Sequence, residues 1–119
     1  MAFIGYGGVV LKKEVLRGSK NFSAVYKKGK SVGDRYVVVF YKRNGLPYNR
    51  TAFLASRKVG NAVARNRARR LMKESVRLME PIQKKGFDII FIARSKANEQ
   101  KCADVKKSIE AAIKRTDLK

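Results

Sequence analysis

The sequence predicts a small α+β domain, a two-layer sandwich in which helices pack on a central sheet. Three observations support this prediction: helical periodicity in three segments, runs of β-branched and aromatic residues between them, and a length of 119 residues, which suits one domain. The predicted order is α-β-β-α-β-α, with one further short strand allowed before the second helix. Glycines at positions 5, 7 and 8 predict a flexible arm over residues 1–10, followed by a single domain over residues 11–119.

The first half of the domain is predicted to contain one helix and two strands. The helix is SKNFSAVYKK, with Ser19 as its N-cap and Gly29 at its end. RYVVVFY (Arg35–Tyr41) has the composition of a strand that is covered at least partly on both faces. KRNGLPYNR (Lys42–Arg50) contains Asn-Gly and Leu-Pro, so we interpret it as a hairpin loop from which TAFLAS (Thr51–Ser56) returns as the second strand.

The second half is predicted to contain two helices on either side of one strand. Asn61 is the predicted N-cap of the middle helix, which should run to about Glu80, because Pro81 cannot continue it. FDIIFIA (Phe87–Ala93) is the strand. The last helix is predicted from about residue 98 to residue 115, and its apolar stripe consists of Cys102, Val105, Ile109, Ala112 and Ile113.

The composition favours a polyanionic partner and excludes several kinds of chemistry. The chain has 29 Lys and Arg residues against 9 Asp and Glu residues, a formal net charge of +20. It has no histidine, which excludes histidine acid–base catalysis and histidine metal ligands. Its lone cysteine, Cys102, cannot form an internal disulfide. We identify no signal peptide and no apolar run of about 20 residues, so a cytoplasmic location without membrane contact is expected.

The middle helix carries a concentrated basic surface. RKVGNAVARNRARRLMKESVR (Arg57–Arg77) contains six arginines and two lysines but only one acid, Glu74. A helical projection separates two faces, a mostly apolar stripe (Ala64, Ala68, Leu71, Ser75, Leu78, Met79) and an opposite polar side (Asn66, Arg70, Lys73, Arg77). A solvated helix face normally interleaves Glu with Lys, whereas arginine grips phosphate bidentately. The pattern therefore favours binding to a nucleic-acid backbone over a merely solvated face.

The same segment resembles a known family. KVGNAVARNRARRLMKE (Lys58–Glu74) is similar to the signature of the bacterial ribonuclease P protein subunit, whose core is Arg-Asn-Arg at positions 65–67. FSAVYKKGKSV (Phe22–Val32) and DIIFIAR (Asp88–Arg94) also resemble the family, so the similarity extends from about residue 16 to about residue 115. Tyr26 and Lys73 depart from it, because the family has Phe and Arg there. The glycine-rich arm has no counterpart in the resemblance.

The resemblance implies a fold and a function. It implies a left-handed β-α-β crossover around the middle helix, as in a domain of a small-subunit ribosomal protein, although β-α-β crossovers are generally right-handed. It implies a protein that binds a catalytic RNA and the 5′ leader of precursor tRNA, and so helps endonucleolytic removal of the leader. In such an enzyme the RNA holds the active site and most of the Mg²⁺, with no metal bound tightly by the protein and no obligate protein partner.

The resemblance also assigns residues to two binding surfaces. The surface that binds the RNA subunit would consist of Lys58, Arg65, Asn66, Arg67, Arg69, Arg70 and Lys73. The leader would bind in a groove between the first helix and the sheet, at Phe22, Tyr26, Arg35, Phe40 and Arg94, although spacing alone favours Phe22 and Phe40 as ordinary core residues. No catalytic residue is expected, because the nine acids are scattered along the chain and form no metal-binding cluster.

Three other functions remain open from the sequence. A basic ribosomal or RNA-assembly protein without a part in cleavage is the main alternative. A DNA-binding module is less favoured, because the chain shows neither helix-turn-helix spacing nor zipper heptads. A membrane-surface helix is weaker still, since the basic helix has no Trp or Phe anchor.

Overall fold

The structure is a computed structural model that describes residues 3–5, 8–10 and 12–119. Within these residues it contains a four-stranded mixed sheet, a separate two-stranded pair and three α-helices, which confirms the predicted α+β class. Two short 3₁₀ turns lie at Lys12–Glu14 and Ala97–Glu99. The helices and strands, in chain order, are β1 (Phe3–Gly5), β2 (Gly8–Val10), α1 (Ser19–Lys28), β3 (Lys30–Gly33), β4 (Val37–Arg43), β5 (Arg50–Ala55), α2 (Ala62–Leu78), β6 (Phe87–Ala93) and α3 (Cys102–Lys114).

The amino-terminal segment forms a short strand pair where it is described. β1 and β2 are antiparallel, and Ile4 lies opposite Val9. The predicted flexible arm, residues 1–10, includes positions 1, 2, 6 and 7, which lie outside the described residues. The flexibility of the arm therefore stays a prediction.

The order of strands in the main sheet is β3-β4-β6-β5, and this order contradicts the predicted hairpin. β4 pairs with β6 in antiparallel fashion and β5 pairs with β6 in parallel, so β6 lies between the two strands that were expected to pair. Six of its seven residues are buried, as suits a central strand. The actual hairpin is β3–β4, which includes the additional short strand that the sequence allowed. β5, α2 and β6 form the predicted crossover between parallel strands.

Polar side chains hold the connection between β4 and β5 in place of hairpin pairing. Arg50 donates two hydrogen bonds of 2.7 Å to the carboxylate of Asp88 on β6. Asn44 Nδ2 donates to the same carboxylate at 3.0 Å, while Asn44 Oδ1 accepts from the backbone of Leu46 at 2.7 Å. Asn44, Gly45 and Leu46 thus form an Asx turn, and the hydrogen bond from Asn44 to Asp88 ties this turn to β6.

The two faces of the sheet carry different helices. Alternate residues such as Val39, Ile89 and Phe91 point to α2 and α3 and form the larger core cluster. The residues between them, including Ile90, face α1 and pack with Val25 in a smaller cluster. Only part of this second face is covered, because Phe40, Leu54 and Ile92 stay partly exposed where the groove beside α1 is predicted.

The middle helix begins as predicted and differs in how it packs. The Asn61 side chain caps α2 by accepting a hydrogen bond from the backbone of Ala64 at 2.9 Å. Met72 is fully buried although the predicted stripe omits it. Leu78, which the stripe includes, is 51% exposed, because the helix ends there and the buried Met79 continues the packing beyond the helix.

The other two helices also differ from prediction at their starts. Ser19 is the first residue of α1, and the N-cap is Gly18, whose φ of 88° is in the region that favours glycine. Gly29 ends α1 as predicted. α3 begins at Cys102, and the predicted start at Asn98 falls in the preceding 3₁₀ turn. Residues 97–101 therefore form a separate connection and not the first helical turn.

Replacement of Gly29 by alanine is expected to lower the free energy of unfolding by about 1–3 kcal/mol. A Cβ at Gly29 would lie 2.5 Å from the Val25 carbonyl oxygen and 2.6 Å from that of Tyr41, and neither backbone atom can move freely. The measurement is urea denaturation of Gly29→Ala. Gly45→Asn serves as the control, because asparagine tolerates a φ of 73° and no atom lies within 4 Å of a Cβ there. Equal stability of Gly29→Ala and the wild type would contradict the close contact between α1 and β4.

Candidate nucleic-acid interface

The outward face of α2 is polar and positively charged. The inner side of the helix is fixed by the burial of Ala68, Met72 and Ser75 against the core. The opposite side therefore projects away from the domain, and Asn66 and Arg70 on it are exposed. Together with Val63, Arg69 and Lys73, these two residues line a shallow open depression.

The arginines of α2 differ in the partners that they have. Arg69 Nη1 donates to Asn66 Oδ1 at 2.6 Å, so these two side chains form one unit. Arg67 Nε donates to the carbonyl oxygen of Asn98 at 2.7 Å, which ties α2 to the 3₁₀ turn before α3. The side chains of Arg65 and Arg70 make no hydrogen bond or ion pair with another described residue. Two guanidinium groups are thus left with all their donors for an external anion.

The single acid of α2 marks the end of this surface. Glu74 forms an i,i+3 ion pair with Arg77 one turn before the helix ends. The hydrogen bond from Arg77 holds the pKa of Glu74 below its ordinary value, so the carboxylate is ionised at neutral pH. The negative charge of Glu74 offsets the positive charge of Arg77. The positive charge that no acid on α2 offsets is therefore concentrated in the amino-terminal two-thirds of the helix.

The segment before α2 places Lys58 beside this surface. Val59 is buried and anchors the loop in the larger core cluster, while Lys58 is exposed. Gly60 has a φ of 142° and a Cβ there would lie 2.9 Å from Ala64, so glycine is required for the turn. Val-Gly-Asn at positions 59–61 thus serves as anchor, turn and cap, which gives a physical reason for this part of the signature.

Aromatic side chains lie between α1 and the sheet, where the leader-binding groove is predicted. The Tyr26 ring lies edge-on to that of Phe40, with centroids 5.0 Å apart and planes at 85°. Tyr26 is 42% exposed, while Phe22 is only partly exposed and packs against the smaller core cluster. Burial raises the pKa of the Tyr26 hydroxyl, so the ring is neutral at physiological pH. Tyr26 is thus the most accessible aromatic side chain of the three.

The two arginines predicted for the same groove lie at the far end of the sheet. The backbone N–H of Arg94, just after β6, donates to the carbonyl oxygen of Tyr36, just before β4, at 2.9 Å. Both residues therefore lie at the same edge of the sheet. Four residues of extended chain, about 13 Å, separate Tyr36 from Phe40. Arg94 Nη1 also lies 3.4 Å from the carbonyl oxygen of Asp34, next to the exposed Arg35. The two arginines therefore lie at the edge of the sheet and not beside the aromatic pair, which is at the middle of β4.

Asp34 organises that arginine-rich end. Its carboxylate accepts a 2.7 Å bond from Ser108 on α3 and a 2.8 Å bond from Arg115, the residue that follows α3. Burial opposes ionisation, but the hydrogen bonds from Ser108 and the Arg35 backbone, with the charge of Arg115, hold the pKa of Asp34 below its ordinary value. Arg115 is thus occupied internally, and Arg35 extends the positive charge towards solvent.

The described residues contain no metal-binding or membrane-spanning feature. In residues 12–119 and the two short strands before them, no three Asp, Glu or Cys side chains come together where they could hold a metal ion. No helix in this part of the chain is long and apolar enough to cross a bilayer. The side chains described above on these surfaces are arginine and lysine, which bind anions, and aromatic rings, which can stack on bases.

Comparison with protein families gives one match over most of the chain. Residues 10–117 match the family described as Ribonuclease P. A ribonuclease P protein component from Caldanaerobacter subterraneus subsp. tengcongensis is 41% identical over 103 residues, which cover 87% of this chain and 89% of the relative. The ribonuclease P protein component of Clostridioides difficile is 42% identical over 104 residues, which cover 87% of this chain and 91% of the relative.

Solved structures similar to this chain are also RNase P proteins. The RNase P protein of Staphylococcus aureus has a TM-score of 0.77 at 30% identity, over 88% of this chain and 96% of the other. The RNase P protein from Thermotoga maritima has a TM-score of 0.76 at 33% identity, over 87% of this chain and 98% of the other. The family match over residues 10–117 spans the four-stranded sheet and all three helices.

Proposed function

Because the chain belongs to the bacterial ribonuclease P protein family, and so has its role in a tRNA-processing ribonucleoprotein endonuclease, we propose how it divides its surfaces between two RNAs. The outer face of α2 binds the RNA subunit. The groove between α1 and the sheet binds the 5′ leader of precursor tRNA. The observation that carries this proposal is a pair of arginines, Arg65 and Arg70, whose side chains have no partner among the described residues. The one acid of the same helix, Glu74, is already paired with Arg77.

The α2 surface has the properties needed to bind folded RNA. Structured RNA presents mainly phosphates and ribose hydroxyls, and arginine binds phosphate through two parallel hydrogen bonds. The packing of α2 fixes the backbone positions from which these side chains project, and the hydrogen bond from Arg69 to Asn66 orients one guanidinium group before RNA binds. The residues proposed to contact the RNA subunit are Lys58, Arg65, Asn66, Arg67, Arg69, Arg70 and Lys73.

The groove suits a single strand of variable sequence. Unpaired bases can stack on aromatic rings whatever their identity, and Tyr26 with Phe40 offers such a platform. Arg35 and Arg94, at the edge of the sheet, would meet the backbone phosphates of the strand. Phe22 is proposed to support the Tyr26 side of the groove from beneath, because it is packed against the core and less exposed.

Cleavage itself is proposed to belong to the RNA subunit. Hydrolysis of a phosphodiester by protein side chains would call for a metal-binding carboxylate cluster or a histidine pair. The chain has no histidine, and its described residues do not fit a Mg²⁺ site. We therefore assign no step to a metal held by the protein, and we propose that Mg²⁺ is bound mainly by RNA. Since both RNA partners are cytoplasmic molecules in bacteria, the proposed location is the cytoplasm.

Reconstitution with a catalytic RNA tests this proposal. The protein is mixed with precursor tRNA and a bacterial ribonuclease P RNA at low Mg²⁺, and release of the leader is followed on a gel. We expect cleavage with both components, slow cleavage with RNA alone, and none with protein alone. Leader removal by the protein alone would overturn the assignment of catalysis to RNA. Failure to stimulate the RNA would instead favour the alternative, a ribosomal or assembly protein without a part in cleavage.

A further inference from the structure

The depression on the outer face of α2 has an apolar side chain among its charges. Val63 is 73% exposed although it sits in the first turn of the helix, where a polar residue would be equally compatible with the fold. It lines the depression together with Asn66, Arg69, Arg70 and Lys73. A single exposed valine is ordinary by itself, so its neighbours are what give this position significance.

The helical spacing places these groups around one point. Val63, Asn66 and Arg70 follow each other at i, i+3 and i+7 and so share one face over two turns. Because Asn66 Oδ1 accepts from Arg69, the carboxamide orients the Arg69 guanidinium and keeps its own N–H donors for an external group. The depression thus combines one apolar wall, one amide with free donors and at least two guanidinium groups.

This combination does not fit a double helix as well as an unpaired nucleotide. Backbone contacts with a duplex involve phosphates and hydroxyls, for which a valine side chain has no favourable interaction. An unpaired nucleotide instead presents an apolar base face or ribose edge next to its own phosphate. Val63 would pack against the former, and Arg69 and Arg70 would bind the latter.

We propose that the depression formed by Val63, Asn66, Arg69, Arg70 and Lys73 is a subsite for one unpaired nucleotide of the RNA subunit. This inference rests on the proposed binding of the RNA subunit by α2. It adds that the surface recognises a nucleotide outside a duplex through contact with Val63, and does not bind RNA by charge alone.

Affinity measurements on Val63→Ala test the subsite. The variant is titrated with ribonuclease P RNA, without tRNA, over a range of salt concentrations. We expect about fivefold weaker binding, because two methyl groups lose a partly buried contact, with the dependence on salt unchanged. Leu78→Ala is the matched control, since Leu78 is 51% exposed on the same helix but outside the depression, and it should bind as the wild type does.

The possible outcomes distinguish failure of the subsite from failure of the proposed binding of the RNA subunit by α2. Normal binding by Val63→Ala, with weakened binding by Arg70→Ala, would overturn the subsite and leave α2 as the RNA-binding surface. Normal binding by both variants would overturn both. A loss seen only with precursor tRNA would also overturn the subsite, because its occupant would then come from the substrate.

Methyl spectroscopy of the free protein gives an independent readout. Val63 methyl signals are expected to shift when adenosine 5′-monophosphate is added and to stay in place with inorganic phosphate at the same concentration. If inorganic phosphate shifts the Val63 methyl signals as much as the nucleotide does, or if neither ligand shifts them, the depression does not recognise a nucleotide and the proposal fails.

Discussion

Simultaneous replacement of Arg65 and Arg70 by alanine is expected to weaken binding of the RNA subunit about 100-fold at moderate salt. Both guanidinium groups lack a partner among the described residues, so a charge-assisted bond from each to a phosphate would be lost. The slope of log affinity against log salt should decrease by about two, one for each phosphate contact. The measurement is a filter-binding titration with ribonuclease P RNA at several salt concentrations.

A charge-matched variant controls for the change in net charge. Lys107→Ala with Lys114→Ala removes the same two charges from exposed positions on α3 and should reduce the affinity only slightly. Alanine is a strong helix former, so neither double variant is expected to lose its fold. Equal losses in both double variants would mean that RNA responds to total charge, and the assignment of α2 would be wrong.

Replacement of Tyr26 by alanine is expected to lower the affinity of the holoenzyme for precursor tRNA about tenfold and to leave its affinity for mature tRNA unchanged. The reason is the loss of one base-stacking ring from the groove, where Tyr26 is the most exposed aromatic of the three. The measurement is equilibrium binding of both RNAs to the protein assembled with the RNA subunit.

A conservative change at the same position keeps the ring and tests the stacking argument. Tyr26→Phe should bind precursor tRNA like the wild type, since the hydroxyl is not part of the stacking surface. Urea denaturation of Tyr26→Ala shows whether the domain stays folded despite the lost contact with Phe40. Parallel losses for precursor and mature tRNA would indicate structural damage, and would contradict a leader-binding role.

The elements of this fold could be predicted from local sequence with good accuracy. Periodicity identified all three helices, and Asn61 was correctly predicted as a cap because its side chain and position suit that role. β-branched and aromatic runs identified β4, β5 and β6. These signals are local, since they depend on residues a few positions apart.

The pairing of strands could not be predicted in the same way. The Asn-Gly sequence indicated a hairpin, but β6 lies between β4 and β5, and its Asp88 binds Asn44 in the connecting loop and Arg50 at the start of β5. That ion pair joins residues 38 positions apart, and neither residue carries a local sign of it. Strand order depends on such distant contacts and on which strand is most apolar, here β6.

The candidate site was predictable in its charge and less so in its details. The basic face of α2 follows from helical spacing, whereas the position of Arg35 and Arg94 away from Tyr26 depends on strand register. The exposed Val63 was missed, because a valine in the first turn of a helix is ordinarily taken as part of the core. An apolar residue on the polar side of the helical projection was the one available signal.

The most direct measurement is a comparison of the two variants in both binding assays. Tyr26→Ala and the Arg65→Ala, Arg70→Ala double variant are each titrated with ribonuclease P RNA, and then, at saturating RNA subunit, with precursor and mature tRNA. We expect the double variant to bind the RNA subunit more weakly and to bind both tRNAs like the wild type once assembled. Tyr26→Ala should bind the RNA subunit and mature tRNA normally and precursor tRNA more weakly. The opposite assignment, or losses of both kinds in both variants, would contradict two separate RNA-binding surfaces.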